Sequence, residues 1–180
     1  MRTFFKYLWP LICFPASIFA ISVFYPVKGG EMKESTVKAM FIYNFTKYLE
    51  WDKESAEEKF VIGVYRYSDM ADELMLNCNQ KKVNDKPIEI VTLSNYQAIS
   101  KCKIIFVPAK YINDFTQIKN IAEKNNVVVI TESEGMCKKG SCINIIRQEK
   151  NLRFEINIKE LTDAGVKIYE QLKKLATTVY

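Results

Sequence analysis

The stretch FVIGVYRYSDMADELMLNC, residues 60–78, changes its hydrophobic period halfway along. Its first six residues, 60–65, form an apolar run with β-branched side chains, which is typical of a buried strand. The apolar positions that follow fit the i, i+3, i+4, i+7 template of a helix: Ala71, Leu74, Met75 and Cys78. Asp69 lies near the helix start, where the positive end of the helix dipole favours a carboxylate. The stretch therefore predicts a strand followed by a helix.

The same alternation continues along the chain. Residues 87–93, 104–107 and 126–131 predict three more strands, and residues 111–124 predict a helix between the last two. Strands that alternate with helices imply a parallel sheet that is covered on both faces.

The pattern changes near the C-terminus. Residues 142–147 and 152–158 predict two strands joined by only four residues, which forces an antiparallel hairpin. The predicted fold class is therefore α/β, with a mixed, mostly parallel sheet flanked by helices and a C-terminal antiparallel hairpin.

Helices are predicted at both ends of this sheet. Aromatic and aliphatic residues recur every three or four positions over residues 34–51, which predicts a helix with a wide aromatic face. After the hairpin, Asn157 and Glu160 fit a capping box, and Gly165 fits a left-handed helix end before an extended stretch and a last helix. One continuous helix is the alternative, at a cost of about 1 kcal/mol for the interior glycine.

The first 22 residues are predicted to be a signal peptide. Two basic residues precede an apolar run over residues 7–21, and the small residues near its end favour cleavage after Ala20 or Ser22. The alternative is an uncleaved anchor, because residues 7–25 are just long enough to span a bilayer. Two prolines interrupt such a helix and favour removal.

Residues 33–180 are predicted to form a single domain, since 48% hydrophobic and 13% aromatic residues are enough to close one core. Loss of Arg2 and Lys6 with the signal peptide lowers the formal charge from +5 to +3. The basic residues alternate with acidic ones and form no stripe, which argues against a nucleic-acid partner.

The cysteines fit an oxidising compartment. Cys13 leaves with the signal peptide, and the other four are an even number. Cys137 and Cys142 are separated by four residues including a glycine, a spacing that a short loop can close. Cys78 and Cys102 are then left as partners. This pairing is one of three possible connectivities.

Residues of the common catalytic sites are missing. The chain contains no histidine, which excludes the triads that use it and the most frequent metal ligand. Gly135 and Gly140 have the spacing of a phosphate-binding loop, but Ser141 stands where the lysine is required. Helix starts and solvated loops account for the acidic clusters: Asp69, Asp72, Glu73, Glu132 and Glu134. We therefore expect no enzyme, no metal and no cofactor.

Four stretches carry a family resemblance. They are VKAMFIYNFTKYLEW at 37–51, KFVIGVY at 59–65, CKIIFV at 102–107 and RFEINIKELTDAGVKI at 153–168. Together they resemble the YfiR-like family of exported bacterial regulators over nearly all of residues 35–178. The first and last stretches are the specific ones, because an aromatic helix ending in Glu-Trp and an Arg-Phe-Glu-Ile-Asn strand rarely occur together by chance.

The resemblance implies an export signal, a mixed α/β sheet and a tendency to form a homodimer. It also implies disulfides near Cys102 and across Cys137 and Cys142. This chain departs from the family in placing Cys78 on the helix after the first strand rather than in that strand. Members of the family repress an inner-membrane diguanylate cyclase by binding its periplasmic part, and others serve different membrane sensors.

The resemblance also supplies candidate site residues. By motif match, the expected partner-binding residues are Glu155, Asn157 and Leu161. The aromatic face of the first helix is a candidate dimer or partner interface, with core packing as the alternative: Phe41, Phe45 and Tyr48.

Two functions from different classes follow. The leading hypothesis is a periplasmic repressor that binds an inner-membrane diguanylate cyclase and performs no chemistry. The alternative is a periplasmic small-ligand-binding domain that reports to a membrane sensor kinase, because a mixed α/β sheet has a crevice at its strand ends. An enzyme of an unrecognised kind is the least favoured, because histidine is absent.

Overall fold

The computed structural model describes residues 32–51 and 57–180. The predicted signal peptide, its cleavage sites and the alternative anchor lie outside these residues. Within the described ranges, no helix is both long and apolar enough to cross a membrane.

The described chain alternates strands with helices, as the sequence predicts. In chain order the elements are α1 (Glu34–Phe45), β1 (Leu49–Trp51), β2 (Phe60–Tyr65), α2 (Ser68–Cys78), β3 (Lys82–Val83), β4 (Lys86–Leu93), β5 (Ile104–Val107), α3 (Phe115–Lys124), β6 (Val128–Thr131), β7 (Ile143–Gln148), β8 (Asn151–Ile156), α4 (Ile158–Asp163), β9 (Val166–Ile168), α5 (Glu170–Leu175) and β10 (Thr178–Val179). Short 3-10 turns at Gln97–Lys101, Ala109–Asp114 and Cys137–Lys139 join some of them.

Eight strands form one sheet in the order β10-β8-β7-β6-β5-β2-β4-β3. The run from β4 through β2, β5 and β6 to β7 is parallel, whereas β7 and β8 form the predicted antiparallel hairpin. The short strand β10 adds to β8 in parallel, and β3 adds to β4 in antiparallel orientation. The structure therefore confirms a mixed, mostly parallel α/β fold with a C-terminal hairpin.

The sheet separates two hydrophobic clusters. On β2, Phe60, Ile62 and Val64 face one cluster, which also contains the inner faces of α1 and α2. Tyr65 faces the second cluster, which contains the inner face of α3. Because successive strand residues point to opposite faces, a strand covered on both sides must be apolar at nearly every position. This explains the continuous apolar run of residues 60–65.

The prediction of one helix over residues 34–51 is wrong at its end. Helix α1 stops at Phe45, and the next three amides donate to carbonyls three residues back, which tightens the last turn. Leu49–Trp51 then pairs with Val166–Ile168 in a separate two-stranded antiparallel sheet. The aromatic spacing continues past Phe45, but pairing with β9 overrides it. This long-range contact leaves no local signal in the sequence.

The predicted break between the last two helices is confirmed. The Asn157 side chain accepts a hydrogen bond from the Glu160 amide at 3.1 Å and so caps α4. Gly165 follows α4 with a φ of 65°, a left-handed conformation that favours glycine. Strand β9 and helix α5 come next, in the predicted order. The two-residue strands β3 and β10 were not predicted.

The structure does not bring Cys78 and Cys102 together. Cys78 ends α2 and packs in the cluster on one face of the sheet, whereas Cys102 packs in the cluster on the other face. The four cysteines in the described part of the chain are buried free thiols. The predicted Cys78–Cys102 pairing therefore fails because the sheet lies between the two side chains. Cys137 and Cys142 flank one tight loop, in which the Gly140 amide donates to the Cys137 carbonyl at 3.2 Å.

Gly63 permits the close packing of Cys102 against β2. A methyl group at Gly63 would meet Cys102 Sγ at 2.8 Å and Leu93 Cδ1 at 3.0 Å. We predict that Gly63→Ala destabilises the domain by about 1–3 kcal/mol, because this side of the sheet is already filled. Urea denaturation measures the loss.

A matched variant tests the cause. Removing the sulfur with Cys102→Ala makes room for the methyl group, so the two substitutions should be non-additive by about 0.5–3 kcal/mol. If Gly63→Ala costs the same in both backgrounds, contact with Cys102 is not the reason.

The cysteine geometry also predicts a labelling pattern. When the exported protein is denatured without reduction and treated with an alkylating reagent, we expect Cys78 and Cys102 to be modified. Cys137 and Cys142 are also free thiols in the structure, but the family resemblance implies a disulfide across the loop that they flank, so we expect them to be protected after oxidation in the periplasm. Mass spectrometry of the peptides gives the result. Protection of Cys78 and Cys102 would contradict the placement of these residues on opposite faces.

Candidate functional site

The expected partner-binding residues begin on β8, the outer strand of the hairpin. Phe154 and Ile156 point into the core, whereas Arg153 is exposed and Glu155 is half-buried on the other face. The predicted alternation is therefore confirmed. The side chains of Glu155, Tyr180 and Lys138 lie together, since the Tyr180 hydroxyl is 3.3 Å from Glu155 Oε1 and Lys138 Nζ is 5.8 Å from the centre of the Tyr180 ring. We call Lys138, Glu155, Asn157 and Tyr180 the Glu155 surface.

A network of buried polar side chains holds the Glu155 carboxylate through hydrogen bonds. The Thr131 hydroxyl donates to Asn144 Oδ1 at 2.8 Å, and Asn144 Nδ2 donates to Glu155 Oε2 at 3.3 Å. The Ser141 hydroxyl lies 2.9 Å from Thr131 Oγ1. Thr131, Ser141 and Asn144 are fully buried, so each needs these partners to avoid the cost of an unsatisfied polar group. The network therefore holds Glu155 in one orientation.

Asn157 has two structural contacts. Its Oδ1 caps α4 and its Nδ2 donates to the Cys137 carbonyl at 2.9 Å. Asn157 thus ties the start of α4 to the loop between Cys137 and Cys142, and its side chain remains half-buried. The residue positions the Glu155 surface as well as lying in it.

Leu161 does not lie on a surface. Its side chain has 0% exposure and packs in the cluster that contains Phe154 and Ile156. The expectation of a partner contact at Leu161 is corrected accordingly: one turn after the cap, the inner face of α4 turns this residue into the core. Its contribution is to hold α4 against the sheet.

The aromatic face of α1 is divided between core and surface. Phe45 is 1% exposed, and its ring lies 5.0 Å from that of Phe154, while Phe41 contacts both rings and is half-buried. The half-buried Tyr48 accepts a hydrogen bond at its carbonyl from the Tyr169 amide. Phe45 thus packs α1 against the hairpin. For this residue the core-packing alternative, rather than the interface, is the one that the structure supports. Phe41 and Tyr48 remain candidates for an interface.

A crevice of about 390 Å³ lies at the carboxyl ends of β2, β5 and β6. It is separate from the Glu155 surface and opens where the chain leaves the sheet. Its lining residues are Arg66, Tyr67, Ser68, Asp69, Pro108, Lys110, Tyr111 and Glu132. A smaller crevice of about 260 Å³ lies beside β1 and β3 and includes Lys47, Glu50 and Tyr169.

Ion pairs occupy one side of the larger crevice. Glu132 lies 2.5 Å from Lys38 of α1 and accepts a hydrogen bond from the Ala109 amide at 2.9 Å. Burial disfavours the Lys38 ammonium, but its hydrogen bonds to Glu132 and Glu34 outweigh this and raise its pKa. The expectation that Glu132 lies in a solvated loop is wrong, because its side chain is only 11% exposed. Its charge is therefore compensated within the protein.

Arg66, which lines this crevice, shares the carboxylate of Asp114 with Tyr65. Asp114 accepts a hydrogen bond from the Tyr65 hydroxyl at 2.9 Å and lies 3.6 Å from Arg66 Nη1. Burial, together with hydrogen bonds to Tyr96 and Asp114, raises the pKa of Tyr65. Tyr65 therefore stays protonated at neutral pH and keeps donating to Asp114.

The buried thiols are not poised for nucleophilic chemistry. Burial raises the pKa of Cys78 to about 11 and that of Cys102 and Cys142 to about 12. A thiolate is the reactive form of cysteine, and these thiols are protonated at neutral pH. The described part of the chain also contains no group of three His, Cys, Asp or Glu residues that could hold a metal ion.

The position of the crevice at the strand ends was predicted only in general terms. None of the cations that line it was predicted as a binding residue. The available signal was the position of Arg66 directly after β2 and of Lys110 just after β5. Asn144 was also missed as a buried polar residue. From the sequence alone, a polar residue in a strand cannot be distinguished from one that faces solvent.

Solved structures with a similar fold share little sequence identity with this chain. A conserved domain protein from Vibrio cholerae is 10% identical with a TM-score of 0.59, and the match covers 82% of this chain and 60% of that one. The ABC domain from Streptococcus pneumoniae, solved in complex with L-Trp, is 13% identical with a TM-score of 0.57, and the match covers 81% and 60%. The chain thus spans about 60% of each structure, and the likeness concerns the fold alone.

The family assignment rests on the sequence. No curated protein matches the chain. The family model DUF4154, described as YfiR/HmsC-like, matches residues 35–177, which is most of the chain. The match includes all of α1 but its first residue and all of the Glu155 surface but Tyr180. This chain belongs to the YfiR/HmsC-like family of periplasmic regulatory proteins.

Proposed function

We propose that this protein represses an inner-membrane diguanylate cyclase by binding its periplasmic part through the Glu155 surface. Family membership supports regulation of a membrane signalling protein in general. The observation that carries the finer proposal is the half-buried Glu155 carboxylate, held between Asn144 and Tyr180. A side chain that is already fixed loses little conformational entropy when a partner binds it.

The charge of the surface indicates what the partner presents. Glu155 accepts hydrogen bonds from Asn144 and Tyr180, but no cation forms an ion pair with it among the described residues. A carboxylate has room for several donors, so an arginine or lysine of the partner can complete its coordination. Tyr180, which is 38% exposed, and Lys138 lie beside it as an aromatic and polar rim.

Repression by binding has a thermodynamic condition. The protein must bind the inactive conformation of the cyclase more tightly than the active one, since equal affinity for both would shift nothing. No catalytic group on this chain is needed. A signal that weakens the contact at Glu155 would release the cyclase by the same equilibrium.

The proposal predicts the effect of Glu155 substitution in cells. Deletion of the gene should raise cyclic di-GMP, and Glu155→Gln should raise it toward the level of the deletion strain. Removing one partner of a charged interface contact costs about 2–5 kcal/mol, so affinity should fall by at least about 30-fold. Nucleotide quantification by mass spectrometry measures the response.

The matched control is Glu149→Gln, because Glu149 is an exposed carboxylate in the turn of the same hairpin. This variant should repress like wild type. Both proteins must show wild-type thermal stability. A stable Glu155→Gln protein that represses fully, or a deletion strain with unchanged cyclic di-GMP, would contradict the proposal.

A further prediction distinguishes a structural role of Asn157 from direct contact with the partner. Asn157→Ala removes the cap of α4 and the anchor of the loop at Cys137, and should cost about 1–3 kcal/mol in urea denaturation. Asn157→Asp keeps the capping oxygen and should lose less. If Asn157→Ala were as stable as wild type and still failed to repress, Asn157 would be a direct partner contact rather than a structural one.

A further inference from the structure

We propose that the crevice at the carboxyl ends of β2, β5 and β6 binds a small organic anion, with Arg66 and Lys110 as its cationic ligands. The anionic group is a carboxylate or a phosphate monoester on a body the size of a single ring. This binding does not depend on the repression of a cyclase, so the two proposals can fail separately.

The topology of the sheet opens the crevice. Strand β2 lies between its two neighbours β4 and β5 in the sheet. The chain passes from β2 through α2 to β4. Helix α2 packs on one face of the sheet, whereas the segment after β5 leads to α3 on the opposite face. Connections that diverge to opposite faces leave a gap above the strand ends, which is where open α/β sheets bind ligands.

Two cations face this gap with little compensation. Lys110 lines the crevice beside the Tyr111 ring, at 5.5 Å from its centre, and no carboxylate among the described residues pairs with it. The Arg66 guanidinium is 3.6 Å from Asp114 and donates from Nε to the Ser94 carbonyl at 3.3 Å, but its side chain is 44% exposed and its remaining N–H groups are available. Both cations can therefore donate charge-assisted hydrogen bonds to an added anion.

The acidic residues of the lining do not cancel this attraction. Glu132 is paired with Lys38 and with the Ala109 amide, so its charge is compensated within the protein. Asp69 accepts a hydrogen bond from the Ser68 hydroxyl at 3.4 Å and remains exposed. Asp69 is thus placed to accept a hydrogen bond from a donor elsewhere on the ligand. An anion with a neighbouring hydroxyl or amine suits this arrangement.

The shape of the crevice limits the rest of the ligand. Tyr67 and Tyr111 supply aromatic walls, and Tyr67 is 37% exposed. A volume of about 390 Å³ lies at the lower end of the range for small-molecule sites. The start of α2 adds to the attraction, because its N-cap residue Tyr67 makes no capping hydrogen bond with its side chain. A planar ring bearing one anionic group fits these limits.

The test uses three probes on the exported protein. Benzoate and phenyl phosphate carry the two anionic groups, and benzamide is the neutral control of the same shape. Backbone amide shifts in nuclear magnetic resonance spectra report where each probe binds. We expect benzoate, phenyl phosphate or both to give saturable shifts at Ser68, Asp69 and Tyr111, and benzamide to give none. The tighter of the two probes identifies the anionic group.

Two lysine variants decide between this crevice and general attraction of anions. Lys110→Met should weaken binding by about tenfold or more, because it removes one charge-assisted hydrogen bond. Lys101→Met is the control, since Lys101 is an exposed residue just before the opposite end of β5. It should bind like wild type. The proposal is overturned by an absence of saturable shifts, by shifts confined to Lys47, Glu50 and Tyr169, or by equal losses in the two variants.

Discussion

Strands β5 and β6 are buried on both faces, and this constraint decides where polar side chains can lie. Every residue of Ile104–Val107 and Val128–Thr131 is buried. A charged group in these strands would lose its hydration without gaining a partner. The free energy lost would be comparable to the whole free energy of unfolding of a typical domain. Charged side chains are therefore confined to strand ends and to the outer strands of the sheet. The crevice and the Glu155 surface occupy these two kinds of position.

The buried polar network is the exception that links the two. Thr131 is the last residue of β6 and bonds to Asn144, which in turn bonds to Glu155 on β8, the strand next to the edge strand β10. The next residue, Glu132, lines the crevice. Each polar atom of the network has a partner, which explains how these residues are tolerated inside an otherwise apolar layer. The same strand end therefore contributes to both candidate sites.

The sequence predicted those parts of the fold that depend on local pattern. The strand at residues 60–65, helix α2, the hairpin and the end of α4 at Gly165 follow from hydrophobic period, loop length and backbone preference. Pairings between distant segments were missed, because neither β1 with β9 nor β10 with β8 has a local signal. The expected cysteine pairing failed for the same reason, since spacing cannot tell which face of a sheet a side chain will meet.

The candidate site shows the same division. Glu155 was found through its motif and lies half-buried on β8, whereas Leu161 from the same motif lies in the core. A motif records which residues occur together, but burial depends on the register of α4 against the sheet. Arg66 and Lys110 come together only because parallel strands end at one edge, although 44 positions separate them in the chain.

Photocrosslinking in living cells tests the central claim, regulation by direct contact with a membrane cyclase. A photoreactive amino acid replaces Arg153, an exposed neighbour of Glu155 on the same strand face, or Lys101 as the control position. The account predicts an adduct from the Arg153 position with a membrane protein that carries a cytoplasmic diguanylate cyclase domain, and none from Lys101. An adduct with a sensor kinase, or no adduct from the Arg153 position, would contradict it.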